Sequence, residues 1–227
     1  MRFLQILGYA TLALSLPSPA PVENSLAVTN LEQRGLEESS VGLQKRGLID
    51  DTVQSVVATL TTSTQANIDA IQSAVATIQG STDAQVIVDA TAIIRANLQA
   101  IVQALQTAAA TILTTIFGSV GGIAAALTAL TQAEINNLTA ALQAAIALLQ
   151  NIRATLILTQ NVSAAVAAAV AAEIAAVRAA IAPFVGPIQV LVQAVLGASV
   201  VAQLTVTGLT QAIIGLNNIG LQIINSQ

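Results

Sequence analysis

From Val53 to Ile223 apolar residues return every three or four positions, and the residues between them are mostly alanine, glutamine, asparagine, serine and threonine. That spacing is the period of a helix with one buried face, not of a strand. Val53, Val56, Leu60, Ile68, Ile71, Val75 and Ile78 predict a first helix. Asp50-Asp51 opens it, as N-cap and first-turn acids facing the helix dipole, and Gly80 stops it. Thr61-Thr62-Ser63-Thr64 interrupts the stripe and leaves a choice between one long helix and two. Ser81-Thr82-Asp83 predicts a cap for the next helix, whose stripe is Ile87, Ile94, Leu98, Ile101, Leu105, Ile112 and Ile116. Val86, Ile93, Val102, Leu113 and Phe117 widen it, so this helix is expected to touch more than one neighbour.

Gly118, Gly121 and Gly122 mark a turn, and Ile123–Leu130 reads as a short helix or a lead-in. Thr131-Gln132-Ala133-Glu134 matches a capping box. The helix it starts carries Ile135, Leu138, Leu142, Ile146, Leu149, Ile152 and Leu156 on one side, with Asn136, Thr139, Gln143 and Gln150 on the other. Ser163 caps a further helix with Val166, Val170, Ile174, Val177 and Ile181. Pro183, Gly186 and Pro187 are expected to break it. The last segment holds Ile188, Leu191, Val195, Val206, Leu209, Ile213, Leu216 and Ile223. With no hairpin signal in competition, the pattern predicts an all-α antiparallel bundle of about five or six Ala-rich amphipathic helices with short connections.

In the last segment Gly197, Gly208 and Gly215 are 11 and 7 residues apart. In one continuous helix they would share a stripe, at about 1 kcal/mol each relative to alanine. Two readings follow: bends between shorter helices, or a groove where a helix or an acyl chain lies on bare backbone.

The first 46 residues are of another kind. Met1–Ala20 has the form of a secretory signal peptide: Arg2, then an apolar run, then Ser18-Pro19-Ala20. Pro21–Arg46 is polar, lacks periodic apolar spacing and reads as a pro-segment ending at Lys45-Arg46, a dibasic pair suited to a secretory-pathway endoprotease. Leu31-Glu32-Gln33-Arg34-Gly35-Leu36 echoes the same pattern. Gly47–Gln227 then forms a single domain long enough for a real core.

Charge narrows the function. Gly47–Gln227 carries only Arg95, Arg153 and Arg178 against Asp50, Asp51, Asp69, Asp83, Asp89, Glu134 and Glu173, and the whole chain is at −4. A nucleic-acid partner needs a basic stripe and finds none; a polybasic attraction to anionic lipid is missing likewise. The chain has neither Cys nor His. That removes disulfide staples, the usual zinc and copper ligands, and nucleophile–base machinery built on those residues. No phosphate loop, nucleophile elbow or metal motif occurs. Asp83 and Asp89 share no helix face, and Glu173 and Arg178 are poorly spaced for a pair. A non-enzymatic protein without cofactor or metal is expected.

High apolar content raises the question of membrane spans. Ala96–Ala133 and Ala179–Gln227 have no charge over 38 and 49 residues, yet polar residues interrupt both, and the longest unbroken apolar run after the leader is Ala164–Ala172. Against the twenty or so predominantly apolar residues of a spanning helix, the pattern argues for a bundle outside the membrane. Two N-glycosylation sequons stand in the domain, Asn137-Leu138-Thr139 and Asn161-Val162-Ser163; the second sits at a helix boundary. Phe117 and Phe184, the only aromatics after the leader, are both placed near helix ends and are expected at the mouth of an apolar cavity.

The leader, the Lys45-Arg46 site and helices such as Ile68-Asp69-Ala70-Ile71-Gln72-Ser73-Ala74-Val75-Ala76-Thr77-Ile78-Gln79-Gly80 together resemble the fungal hydrophobic surface-binding protein A and cell-wall galactomannoprotein family. The resemblance covers the mature chain in architecture and this one segment in local pattern. It implies a secreted, wall-associated helical bundle that adsorbs to hydrophobic surfaces or holds a fatty acid between helices, with no catalytic residues. Two other functions fit the same residues: a wall or matrix component self-associating through Ala-rich faces, and a secreted protein whose helices insert into a bilayer.

Overall fold

The computed structural model describes the backbone of residues 26–117, 127, 131–202 and 204–226, and the side chains of residues 51–115, 127, 131–199 and 204–226. The chain divides into two compact units, Met1–Ser39 and Ser40–Gln227. Of the first, residues 26–39 are described and helical; Met1–Ala20, the expected leader, lies outside the described residues. The second unit holds the bundle. The helices are α1 (Leu26–Gly80), α2 (Ala84–Phe117), α3 (Gln132–Gln160), α4 (Ala164–Ala202) and α5 (Thr207–Asn225). Among the described residues there is no strand, and the fold is an all-α bundle.

α1 corrects the sequence reading at its start. It is already helical from Leu26, so Asp50-Asp51 lies inside the helix and not at its N-cap, and residues 26–46 of the expected pro-segment are helical. Between Leu26 and Asp51 there is no proline, and Leu, Glu, Gln and Arg are strong helix formers; their propensity outweighs the weak apolar period. The Thr61–Thr64 interruption does not divide α1 either. Thr61 and Thr62 hydroxyls donate to the carbonyls of Val57 and Ala58 (2.7 and 3.0 Å), and Ser63 to that of Leu60 (3.1 Å), while Thr64 is fully buried.

The turns follow the expected chemistry. After Gly80, Asp83 Oδ1 accepts from the backbone N–H groups of Gln85 (2.8 Å) and Val86 (3.4 Å). Thr131 and Glu134 form a reciprocal capping box at the start of α3. Ser163 Oγ accepts from Val166 N–H at 3.3 Å and caps α4. The segment 123–130, expected as a short helix or lead-in, lies outside the described residues apart from helical Leu127.

The expected break at Pro183, Gly186 and Pro187 is absent: α4 runs through both prolines. Each interior proline costs a helix about 3 kcal/mol. Around them Phe184, Ile188, Leu191 and Val192 are all fully buried, and each such side chain returns about 1.5–3 kcal/mol on burial. Packing therefore overrides the local preference, and the described chain is non-helical at residues 204–206 instead.

α2 packs chiefly on α4 and α3 chiefly on α5, while α5 also contacts α4. Gly220 of α5 faces Ile181 and Val185 of α4, and Gln189 bonds Asn217, so these two helices run antiparallel. α3 and α5 run parallel in matched seven-residue steps: Gly208 faces Thr139, and Gly215 faces Ile146. A two-way amide clamp fixes that register, with Gln132 Nε2 donating to the Thr205 carbonyl and Thr205 N–H donating to Gln132 Oε1, both at 3.0 Å. The core takes its residues from every helix. It includes Val53, Leu60, Ile68 and Ile71 of α1, Ile94, Leu98, Ile101 and Leu105 of α2, and Leu142, Leu149 and Ile152 of α3. The width foreseen for α2 is only partly realised: Val102 is half-buried, but Val86, Ile93 and Leu113 are exposed.

Three helical stretches, Ala84–Thr115, Gln132–Gln160 and Ala164–Ser199, are long and apolar enough to cross a membrane by length and composition. Window hydropathy and unbroken apolar runs thus give different impressions of the same helices. Alanine raises the mean hydropathy of a whole window even where glutamine and threonine break every run.

Candidate functional site

Among the described residues, the outer surface carries features a ligand would meet. Three grooves between helices open to solvent. One of about 400 Å³ lies between Ser55–Ser63 of α1 and Ala104–Thr111 of α2, with an apolar floor of Val56, Leu60, Ala104 and Ala108. A second, about 350 Å³, runs between Ile87, Val88, Thr91 and Ala92 of α2 and Ala165, Val166 and Ala169 of α4, and Arg95 lines it as well. A third, about 360 Å³, lies between Ile181, Val185, Gly186 and Gln189 of α4 and Asn217, Gly220, Leu221 and Ile224 of α5.

The third groove sits in the least charged part of the protein. No charged residue occurs from Ala179 to Gln227. Val190, Ile214, Leu221 and Ile224 are 52%, 53%, 57% and 40% exposed, where aliphatic side chains of a bundle would normally be covered. Ile214 and Leu221 are seven residues apart and share a stripe of α5, beside Asn217 and Ile224.

The sequence-predicted residues divide between packing and surface. Phe184 is not at a cavity mouth. It is fully buried, because α4 continues through the prolines and turns this position into the core. Phe117 ends α2, and its ring lies outside the described residues. The three glycines do not share one helix. Gly197 is in α4 with no neighbouring atom within 4 Å of an added Cβ. In α5, a Cβ at Gly208 would stand 3.4 Å from Thr139 Cγ2, and one at Gly215 would stand 3.1 Å from Ile146 Cδ1. Gly208 and Gly215 thus admit a helix, α3, and not an acyl chain. Gly220 does the same toward α4 and was not singled out in the sequence. Lys45 and Arg46 fall within α1; their side chains lie outside the described residues.

One polar feature was missed. Arg95 Nε of α2 donates to Glu173 Oε1 of α4 at 2.9 Å, and Gln99 Nε2 donates to the same oxygen at 3.3 Å. Burial pushes the Glu173 carboxyl up. The Arg95 hydrogen bond and charge, a backbone hydrogen bond and the Gln99 amide pull it down further, and it is held below the usual carboxylate value. Its other oxygen has no partner, nor do Nε of Arg153 and both Nε and Nη2 of Arg178. A pairing across 78 residues leaves no trace in local spacing. The available signal was Glu173 itself, a lone acid in an alanine-rich helix one position before core Ile174. Among the described residues no three His, Cys, Asp or Glu side chains gather as a metal site would require.

No family model, curated protein or solved structure matches this chain.

Proposed function

We propose that this chain is a secreted, non-enzymatic helical protein that binds hydrophobic surfaces, or takes up a lipid, along its charge-poor outer faces. The observation that carries the reading is the α4–α5 face. Val190, Ile214, Leu221 and Ile224 stand in water around an open groove, in a stretch of 49 residues without a charge. Covering such a face gains about 0.8 kcal/mol per methylene removed from water. With no charged group to desolvate, little opposes that gain. An open groove suits a flat interface or a chain lying along it better than a ligand sealed from solvent. Entry into the secretory pathway rests on the Met1–Ala20 leader pattern.

The test is partition onto oil droplets and zwitterionic vesicles at low and high salt. Binding should be insensitive to salt and should fall at least tenfold in the Ile214→Ser/Leu221→Ser double variant, with unchanged helix content. Salt-sensitive binding, or full binding by the variant, would sink the proposal. A second reading, insertion of helices into a bilayer, draws on the three helices of spanning length. It predicts release of trapped dye from the same vesicles, whereas surface adsorption leaves them sealed. Oligomers that grow with concentration and bind neither surface would instead favour the matrix component.

A further inference from the structure

Two sequons occur in the helical domain, and the structure treats them differently. Asn137 lies inside α3, where residues two apart do not face each other. Its partner Thr139 donates to the Ile135 carbonyl at 2.7 Å and faces Gly208 of α5, and Asn137 is engaged by an interaction of its own. The asparagine and the hydroxyl are thus divided between the outer side and a helix contact.

Asn161-Val162-Ser163 occupies the turn between α3 and α4. Asn161 and Ser163 are both exposed. Asn161 holds φ −91 and ψ 0, and its backbone N–H satisfies the carbonyls of Ile157 and Leu158. Its side-chain amide is left to solvent. Ser163 Oγ only accepts, from Val166 N–H at 3.3 Å, so its hydroxyl proton remains available. The whole triplet is presented on one short bend of the folded chain.

We infer that Asn161 is an N-glycosylation site of this protein and that Asn137 is not. This rests on the secretory reading above. The co-substrate class is a polyprenyl-diphosphate-linked oligosaccharide. The Asn161 amide nitrogen attacks C1 of its reducing sugar. An N–C bond forms, the C–O bond to diphosphate breaks with its electron pair leaving on the diphosphate, and one amide proton passes to the transferase's base. From Ser163 to Ile181 α4 advances about 27 Å at 1.5 Å per residue. The glycan therefore sits well away from the α4–α5 groove.

The full chain is expressed in a eukaryotic secretory host, and its intact mass is read before and after peptide-N-glycosidase treatment. The expected result is secreted protein that loses one glycan's mass, with Asn161 converted to Asp. Asn161→Gln and Ser163→Ala should abolish the loss, Asn137→Gln should leave it intact, Ser163→Thr should retain it, and Ser163→Asp, which keeps a helix cap but removes the sequon, should abolish it. Secreted protein of enzyme-resistant mass, or loss of the glycan on Asn137→Gln, overturns this inference alone. Retention in the cell without glycan overturns it together with the secretory reading.

Discussion

Replacing Arg95 by alanine should cost the fold far more than replacing its partner Glu173 by methionine, although both changes break one ion pair. The difference lies in what stays behind. The Arg95 side chain is 53% exposed and that of Glu173 6%. In Arg95→Ala the carboxylate remains buried, with one oxygen unpartnered and the other left to Gln99 at 3.3 Å. Stranding a buried charge commonly costs 3–5 kcal/mol, and water entering the space of a half-exposed guanidinium reduces this to about 2–3 kcal/mol. In Glu173→Met the guanidinium turns into the solvent it already touches, while an adaptable apolar side chain fills the site; the change should stay within about 1 kcal/mol. For a bundle of this size each kcal/mol moves Tm by about 2–4 °C. Urea and thermal unfolding followed by circular dichroism at pH 7 measure both variants. The acid arm adds a second readout. Without Arg95 the Glu173 carboxyl loses its main stabilising partner and burial raises its pKa above the unfolded value. The penalty of its ionised form then shrinks as pH falls through that raised value, so the stability gap between Arg95→Ala and the wild-type chain should narrow as pH is lowered. Equal losses for the two variants, or a larger loss for Glu173→Met, would refute the reasoning.

In the wild-type chain the sign is opposite. The Glu173 pKa is lowered in the folded state, so its contribution is complete above the ordinary carboxylate pKa and is lost as pH falls through the lowered value. With no histidine in the chain, Tm should be level from about pH 5 to 8 and decline below about pH 4, which a pH series of thermal melts checks. Phe184→Ala should cost about 3–5 kcal/mol while surface binding per folded molecule is unchanged; a selective loss of binding would return Phe184 to the ligand site. Gly197→Ala, in open helix, should stabilise by about 0.5–1 kcal/mol. Gly215→Val, aimed at Ile146, should destabilise by about 1–3 kcal/mol, and denaturant midpoints decide both.

Most of the fold is legible in the chain because each helix carries its own stripe. Val166, Val170, Ile174, Val177 and Ile181 are all buried as their spacing requires, and the Thr131–Glu134 box closes as written. The misreadings occur where distant packing decides. Pro183 and Pro187 carry a local stop signal that the buried neighbours of Phe184 override. Asp50-Asp51 looks like a cap only if the residues before it are taken as unfolded. Gly208 and Gly215 announce a close approach, but only α3 shows what approaches. The surface was harder to foresee, since a stripe says which residues face inward and not which outer aliphatics remain uncovered. Val86 and Ile93 fit the α2 pattern yet stand in water.

The hydroxyls folded back onto their own helices change what the exterior is made of. Thr62, Thr77 and Thr114 are exposed, and each donates its O–H to the carbonyl four residues earlier at 2.9–3.0 Å. With the donor occupied, each offers water a methyl group and a hydroxyl oxygen that can only accept. A threonine counted as polar in any hydropathy sum then offers water an acceptor but no donor. At these positions the surface is in effect methylated, and its contact with water is poorer than the amino-acid composition implies.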